Sequence, residues 1–140
     1  MALTLPLEAE QLIPHRLPMR LVDRLLEIDG TDGVVEALVA ADCPLVTADG
    51  KLEDVALTEL LAQAYAAVKG YCDLRDGQPS KQGFLVGIKK IVKLLSAQRG
   101  DRLKIHIKTL AQLEGFAVAE GEIWRDKQLL ARGEIKVWVH

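Results

Sequence analysis

The feature that most constrains this chain is one helical segment that is apolar on nearly every side. It runs from about Asp54 to Lys69, and its body reads VALTELLAQAYAAV. Only Thr58, Glu59 and Gln63 interrupt the apolar run. A helix of this kind is buried rather than laid on a surface, so the rest of the chain, or a partner, has to surround it.

The ends of this helix carry recognisable signals. Glu53, Asp54 and Glu59 lie near its N-terminal end, where negative charge complements the helix dipole. Gly70 follows the last periodic residue and is predicted to stop the helix. Glu59 and Gln63 are four residues apart, so they share one face.

The remaining elements are predicted to be strands joined by loops, apart from an N-terminal segment in which Leu7 to Leu12 suit one short helix. The turn sequence Asp-Gly-Thr-Asp-Gly favours a hairpin between the first two strands, and residues 41–53 form a loop before the helix. The predicted strands are Leu21 to Asp29, Gly33 to Ala40, Phe84 to Leu95, a strand through Leu103, Ile105 and Ile107, Phe116 to Trp124, and Leu129 to Val139.

Two strands, a buried helix and four strands with short turns predict an α+β fold. Short turns between consecutive strands make an antiparallel sheet, which has to curve around the helix. We therefore expect one central apolar helix wrapped by a sheet of about six strands. The 140 residues suit a single domain, 1–140.

Composition excludes several classes of function. The net charge is -2 with dispersed Lys and Arg, and aromatic residues make up 4%, so no nucleic-acid partner is expected. No apolar run approaches the roughly 18 residues of a membrane helix, and no signal peptide opens the chain. Cys43 and Cys72 make neither a disulfide framework nor a zinc motif. We expect a cytoplasmic protein without metal or cofactor.

Three stretches resemble the 3-hydroxyacyl-(acyl carrier protein) dehydratases. Residues 12–24, LIPHRLPMRLVDR, resemble the opening motif of that family, and residues 59–63, ELLAQ, resemble its Glu-x-x-Ala-Gln stretch on the central helix. Residues 83–88, GFLVGI, followed by residues 99–103, RGDRL, resemble its third strand and the next turn. Together they span most of the chain in the correct order.

The resemblance implies a hotdog fold and a dimer whose two sheets join edge to edge. It also implies thioesters of acyl carrier protein or coenzyme A as ligands, in fatty-acid or polyketide-like synthesis. A homodimer, a larger oligomer of dimers, or a pair with a second hotdog subunit all fit this expectation.

One part of the family pattern is missing. A Gly-His-Phe-Pro segment precedes the helix in that family and supplies a histidine, whereas residues 41–50 read ADCPLVTADG here. Divergent members found beside aryl-polyene and polyketide-like synthesis genes share this His-poor loop, and the chain resembles those more closely. Whether the chain is a dehydratase enzyme is therefore left open.

Dehydration of a 3-hydroxyacyl thioester requires a base for the C2 proton, an acid for the departing hydroxyl and a donor to the carbonyl. The resemblance implies that a histidine and a helix acid divide the first two roles, and only the acid, Glu59, is present here. A carboxylate within an apolar helix needs a reason, although a surface glutamate favouring the dipole is the alternative. Gln63 could orient Glu59 or a water, or simply pack at a dimer seam.

The other polar candidates have simpler explanations. His106 is expected on a wet strand face, His140 at a frayed end, and His15 in a structural role within the opening motif. Cys43 lies in the loop that would carry the family's histidine and is a candidate substrate-binding residue, or a small buried hydrophobe. Asp42 and Asp49 are expected to be turn residues.

The long strand after the helix supplies further candidates. We expect Phe84, Leu85, Val86 and Gly87 to bind substrate along an acyl tunnel, with core packing as the alternative. The lysines that follow could dock an acidic carrier protein or a coenzyme phosphate, or face solvent; they are Lys89, Lys90 and Lys93.

Three functions remain open from the sequence. The first is a dehydratase-like enzyme that uses Glu59. The second is a hotdog thioesterase, in which the helix carboxylate activates water or attacks the thioester and no histidine is required. The third is a non-catalytic acyl-binding subunit that dimerises with an active dehydratase, and the missing histidine is its best support.

Overall fold

The computed structural model describes residues 3–79 and 83–139, and the side chains of these except residues 84–86, 88, 89 and 139. This part of the chain contains one α-helix, α1 (Asp54–Arg75), and a short 3-10 helix, Ala9–Gln11. Its strands are β1 (Leu7–Glu8), β2 (Arg24–Asp29), β3 (Asp32–Leu38), β4 (Gly83–Lys93), β5 (Arg102–Leu113), β6 (Phe116–Arg125) and β7 (Gln128–Val139).

The helix is longer than the sequence signals predict. It was expected to stop at Gly70, but it continues to Arg75. Gly70 lies within it because a side chain there would collide with the backbone oxygen of Leu12, which crosses the helix at this point. The glycine therefore permits a close approach rather than ending the helix.

The strands form one antiparallel sheet in the order β1-β2-β3-β5-β6-β7-β4. The predicted α+β architecture is confirmed, with a seventh, two-residue strand, β1, added at one edge. The short turn expected between each of the last four strands is wrong for the first pair, because residues 94–101 carry the chain from β4, which pairs with β7 at one edge, to β5, which pairs with β3.

The connection between β4 and β5 carries the chain from one edge of the sheet to its middle. Along residues 94–101, the amide of Leu94 donates to Leu130 on β7, and the carbonyl of Asp101 accepts from Val39, just after β3. The Asp101 carboxylate also lies 2.7 Å from Arg125 at the end of β6. The segment thus passes the ends of three strands before it enters the middle of the sheet.

The inner face of the sheet packs closely on α1. Leu103, Ile105 and Ile107 of β5 alternate with exposed residues and are buried, as the sequence predicts. Gly121 of β6 faces Leu61 of α1, and a side chain at position 121 would collide with the Leu61 methyl groups. Glycine therefore allows the sheet to approach the helix closely here.

The N-terminal residues 9–21, which we call the strap, cover a second side of α1. The short helix expected from Leu7 to Leu12 is wrong, because this stretch is divided between β1 and the 3-10 helix. The strand expected from Leu21 begins only at Arg24. Between β1 and β2, the backbone of the strap passes Gly70 and Gln63 on the helix.

A third side of α1 is not covered by the described chain. Val55 is exposed, and Glu59, Ala62 and Ala66 are half-buried, at the three- or four-residue spacing of one helical stripe. Lys93 at the end of β4 is paired with Asp54 at 2.7 Å, which brings the start of this stripe beside the free edge of the sheet. An uncovered helix face next to an open strand edge is suited to a second chain.

The close contact between Leu61 and Gly121 gives a test of the packing. Gly121→Ala is expected to destabilise the fold by about 1–3 kcal/mol through overpacking. In a Leu61→Ala background, the same substitution is expected to cost much less, because the space has been vacated. Urea unfolding of the two single variants and the double variant measures this, and additive costs would contradict the contact.

Candidate active site

Glu59 is positioned by the second turn of α1. Its side chain is half-buried, and it lies on the uncovered stripe of the helix rather than against the sheet. Its Oε2 atom accepts a hydrogen bond of 2.9 Å from Nε2 of Gln63. The structure records no ion pair to Glu59 within residues 3–79 and 83–139.

Gln63 is almost completely buried, with 1% of its surface exposed, and its amide makes three hydrogen bonds. The backbone amide of Leu21 donates to Oε1 at 2.7 Å, and Nε2 donates to the carbonyl of Met19 and to Glu59, both at 2.9 Å. Because the Leu21 amide can only donate, Oε1 must be the acceptor and Nε2 the donor. The orientation of the amide is therefore fixed.

This arrangement fixes Glu59 through one of its two oxygens. Oε2 receives the Gln63 donor, while no hydrogen bond to Oε1 is recorded from the part of the chain that the structure describes. A carboxyl group held at one oxygen with the other facing an open stripe can give a proton to a bound molecule or take one from it. The geometry supports an orienting role for Gln63.

The surroundings of Glu59 are apolar. Val55, one turn earlier on the helix, is 62% exposed, and Met19, whose carbonyl accepts from Gln63, is 65% exposed. Ala62 and Ala66 continue the stripe beyond Glu59 with small side chains. Exposed apolar side chains gathered near one carboxylate mark a surface that a ligand or a partner covers.

The loop before the helix does not bring a histidine to this site. Cys43 is half-buried and packs against the core, and its amide closes a turn with Ala40. Asp49 accepts a hydrogen bond from the Thr47 hydroxyl, which lowers the pKa of its carboxyl group, and both lie in the predicted turn. Asp42 is exposed.

The described histidines do not replace the missing one. His106 is exposed on the outer face of β5, where it meets Trp124 edge to face at 6.4 Å, so it lies on the opposite side of the sheet from α1. His15 is in the strap, and its Nδ1 is buried with no hydrogen-bond partner among the described residues. His140 lies outside them.

The candidates on β4 are described only in part. The side chains of Phe84, Leu85 and Val86 lie outside the described set, so their predicted role stays a prediction. Gly87 is half-exposed beside a bulge, and open space surrounds the position of its missing side chain.

The lysines of β4 behave differently from one another. Lys90 is exposed, Lys93 is paired with Asp54, and the side chain of Lys89 is not described. The predicted docking of an acidic carrier or a coenzyme phosphate stays a prediction.

Tyr65 is a buried polar residue that sequence reasoning missed. It is 3% exposed, and its hydroxyl has no hydrogen-bond partner in the described chain. Burial raises the pKa of Tyr65 to about 12, and the nearby Gln112 side chain opposes only part of this rise. Within the run AQAYAAV it resembles one more apolar residue, so no local pattern distinguishes it from its neighbours.

Two absences within the described residues concern metal binding and membrane spanning. Within residues 3–79 and 83–139, no group of three or more His, Cys, Asp or Glu side chains could hold a metal ion. No helix in the same residues is long and apolar enough to cross a membrane.

A single apolar helix wrapped by one antiparallel sheet, in the part of the chain that the structure describes, defines a hotdog-fold protein. The model of the ApeP-like family, described as ApeP dehydratase, matches residues 7–140. The chain belongs to this family, which confirms the resemblance found in the sequence.

Curated relatives and solved structures agree with this assignment. A FabZ 3-hydroxyacyl-(acyl carrier protein) dehydratase from Methylobacterium radiotolerans is 32% identical over 132 residues, which cover 89% of this chain and 82% of the relative. Another from Alkaliphilus metalliredigens is 30% identical over 128 residues, covering 88% and 85%.

Among solved structures, the dehydratase heterocomplex ApeI:P from Xenorhabdus doucetiae matches with a TM-score of 0.88 at 24% identity, covering 94% of this chain and 90% of that one. A hypothetical thioesterase from Streptococcus pneumoniae, solved with coenzyme A, matches at 0.67 and 15% identity, covering 83% and 84%. These likenesses confirm the hotdog fold.

The buried hydroxyl of Tyr65 predicts a loss of stability in alkali. The folded state holds its proton to about pH 12, whereas an unfolded tyrosine ionises near pH 10. The contribution of Tyr65 to the free energy of unfolding is thus complete below pH 10 and is lost as the pH rises to about 12. The loss amounts to about 1 kcal/mol at pH 11. Urea unfolding at pH 9 and pH 11 should show a smaller loss for Tyr65→Phe than for the native chain. Equal losses would contradict the burial.

Proposed function

We propose that this chain acts in the dehydration of 3-hydroxyacyl thioesters, carried by acyl carrier protein or coenzyme A, and that Glu59 is its catalytic group. The observation that carries the proposal is the Glu59 carboxylate, fixed by Gln63 on an uncovered apolar stripe of the central helix. Membership of a dehydratase family and the FabZ relatives support this choice of reaction.

In the proposed step, Glu59 serves as the acid. A base removes the C2 proton, the C3–O bond breaks, and the departing hydroxyl takes a proton from the free oxygen of Glu59 to leave as water. The product is the 2-enoyl thioester. Gln63 keeps its hydrogen bond to Oε2 throughout, so the carboxyl group does not have to reorient during the reaction.

We propose further that the base comes from a second hotdog subunit. The loop of residues 41–53 that leads into α1 contains no histidine, and the uncovered helix stripe lies beside the free β4 edge, where a second sheet could join. The similar structure from Xenorhabdus doucetiae is described as a dehydratase heterocomplex, which supports a pair of unlike hotdog chains. Such a partner would cover Val55 and complete the site.

A thioesterase is the second candidate. The free oxygen of Glu59 could activate a water for attack on the thioester carbonyl, and this chemistry requires no histidine. It would leave the acyl chain saturated and release a thiol. We place it second because the matching family and the curated relatives are dehydratases. A non-catalytic subunit would keep the same dimer but leave Glu59 without a role.

The role of Glu59 is tested by removing its proton without changing its shape. Glu59→Gln is expected to lower enoyl thioester formation by about 10²–10⁴-fold, since the amide cannot act as an acid. Mass spectrometry of the thioester product measures this, and circular dichroism verifies the fold. Glu53→Gln, at an exposed glutamate six residues earlier, is the matched control and should keep the native rate. A native rate in Glu59→Gln would remove Glu59 from the mechanism.

The need for a partner is tested by reconstitution. The chain is incubated with 3-hydroxyacyl and saturated acyl thioesters, first alone and then with a histidine-bearing hotdog dehydratase chain. We expect enoyl product only in the mixture, together with a mixed dimer in native mass spectrometry. Full turnover by the chain alone would contradict the partner, and free thiol from the saturated substrate would favour the thioesterase.

A further inference from the structure

The strap is tied to α1 at two places, and one of them is the amide that holds Glu59. We infer that the strap is a positioning element for this acid, and that Gly70 sets how closely it lies against the helix. The inference rests on the proposed role of Glu59. It assigns a part in positioning Glu59 to two groups that do not touch the substrate, Gly70 and the backbone of the strap.

The first tie is the Gln63 amide. It accepts from the Leu21 backbone amide and donates to the Met19 carbonyl, so the strap decides which way the amide faces. If the strap moved away, the amide would lose the contact that fixes Oε1 as its acceptor. The donor to Glu59 would then be free to rotate, and the carboxyl group would lose its single recorded orientation.

The second tie is the contact at Gly70. The Leu12 carbonyl oxygen lies so close that any side chain at position 70 would collide with it. Glycine within a helix is less favourable than alanine, so its presence in the last third of α1 is unfavourable for the helix itself. The close approach of the strap gives a reason for it.

The strap is held together as one connected segment. The amide of its first residue, Ala9, donates to the carbonyl of Asp23, two residues beyond its last, at 2.8 Å. Seven residues separate Leu12 from Met19, and seven separate Gly70 from Gln63, so the strap runs antiparallel to the helix over about 10 Å. Ile13, between the ties, is 3% exposed and fixes the middle of the strap to the core.

A substitution at Gly70 should therefore change the position of the Glu59 carboxyl group, about 16 Å away along the helix. Gly70→Ala favours the helix but pushes Leu12 outward, and the displacement loosens Met19 and Leu21 from Gln63. A misplacement of about 1 Å at a catalytic group can cost about 10²-fold in rate. We expect kcat to fall about 10- to 100-fold, by a larger factor than any rise in KM, because the displaced group acts on the reacting atoms.

The experiment begins with a measurement that does not depend on activity. Amide hydrogen exchange of Leu21, followed by NMR in the intact chain, reports directly on its bond to Gln63. Protection of this amide is expected to fall at least about 10-fold in Gly70→Ala. Ile123→Val, a conservative change at a buried position of β6, is the control for general destabilisation and should leave Leu21 protected. Unchanged protection in Gly70→Ala would overturn the inference.

The second measurement is a double-mutant cycle with the active complex. If Gly70 acts through Gln63, then Gly70→Ala in a Gln63→Ala background should change kcat by less than about twofold, because the connection is already broken. A purely structural effect would be additive, and additivity would also overturn the inference. The native complex forming no enoyl product would instead count against the proposed function, while the exchange measurement would still decide the role of the strap.

Discussion

The side-chain amide of Gln63 is the interaction on which the rest of this site depends. Three hydrogen bonds satisfy it in the protein interior, and they join the strap, the central helix and the Glu59 carboxylate. A buried amide left without partners would cost about 1–3 kcal/mol, so the strap and the helix are held to one arrangement. The same hydrogen bonds that satisfy the buried amide also orient the Glu59 carboxyl group.

The apolar helix explains why the chain is organised around an incomplete surface. The sheet buries one side of α1 and the strap a second, but the stripe through Val55, Glu59 and Ala62 is left uncovered beside the open edge of β4. Hydrophobic burial and strand pairing both favour a second chain at this place. An acid on that stripe would then lie between two subunits, where a thioester could be enclosed and water excluded.

Much of this arrangement could be predicted from the sequence. The apolar pattern of the helix, the period-two alternation around Ile105 and the spacing of Glu59 and Gln63 all report on local geometry, and each was confirmed. The position of β4 could not be predicted in this way, because alternation shows which face of a strand is buried but not which strand lies beside it. The strand that lies beside β4 is determined by the path of residues 94–101, whose hydrogen bonds join distant parts of the chain.

Gly70 and Tyr65 show a second limit of sequence reasoning. A glycine near the end of a helical pattern usually marks a stop, and only the position of the Leu12 backbone shows that here it permits a contact. Tyr65 has the apolar body of its neighbours, so the lack of a hydrogen-bond partner for its hydroxyl among the described residues is visible only once the surrounding side chains are placed. Both depend on tertiary contacts that no local pattern encodes.

The central claim is that the free oxygen of Glu59 faces the 3-hydroxyl group of a bound acyl thioester. A crystal structure of the assembled complex with a stable amide analogue of a 3-hydroxyacyl pantetheine thioester tests it most directly. The account predicts the analogue along the stripe beside Ala62, with its 3-hydroxyl oxygen within about 3 Å of Oε1 and the Gln63 bond to Oε2 retained. An analogue bound elsewhere, or a Glu59 carboxylate turned away from it, would contradict the account.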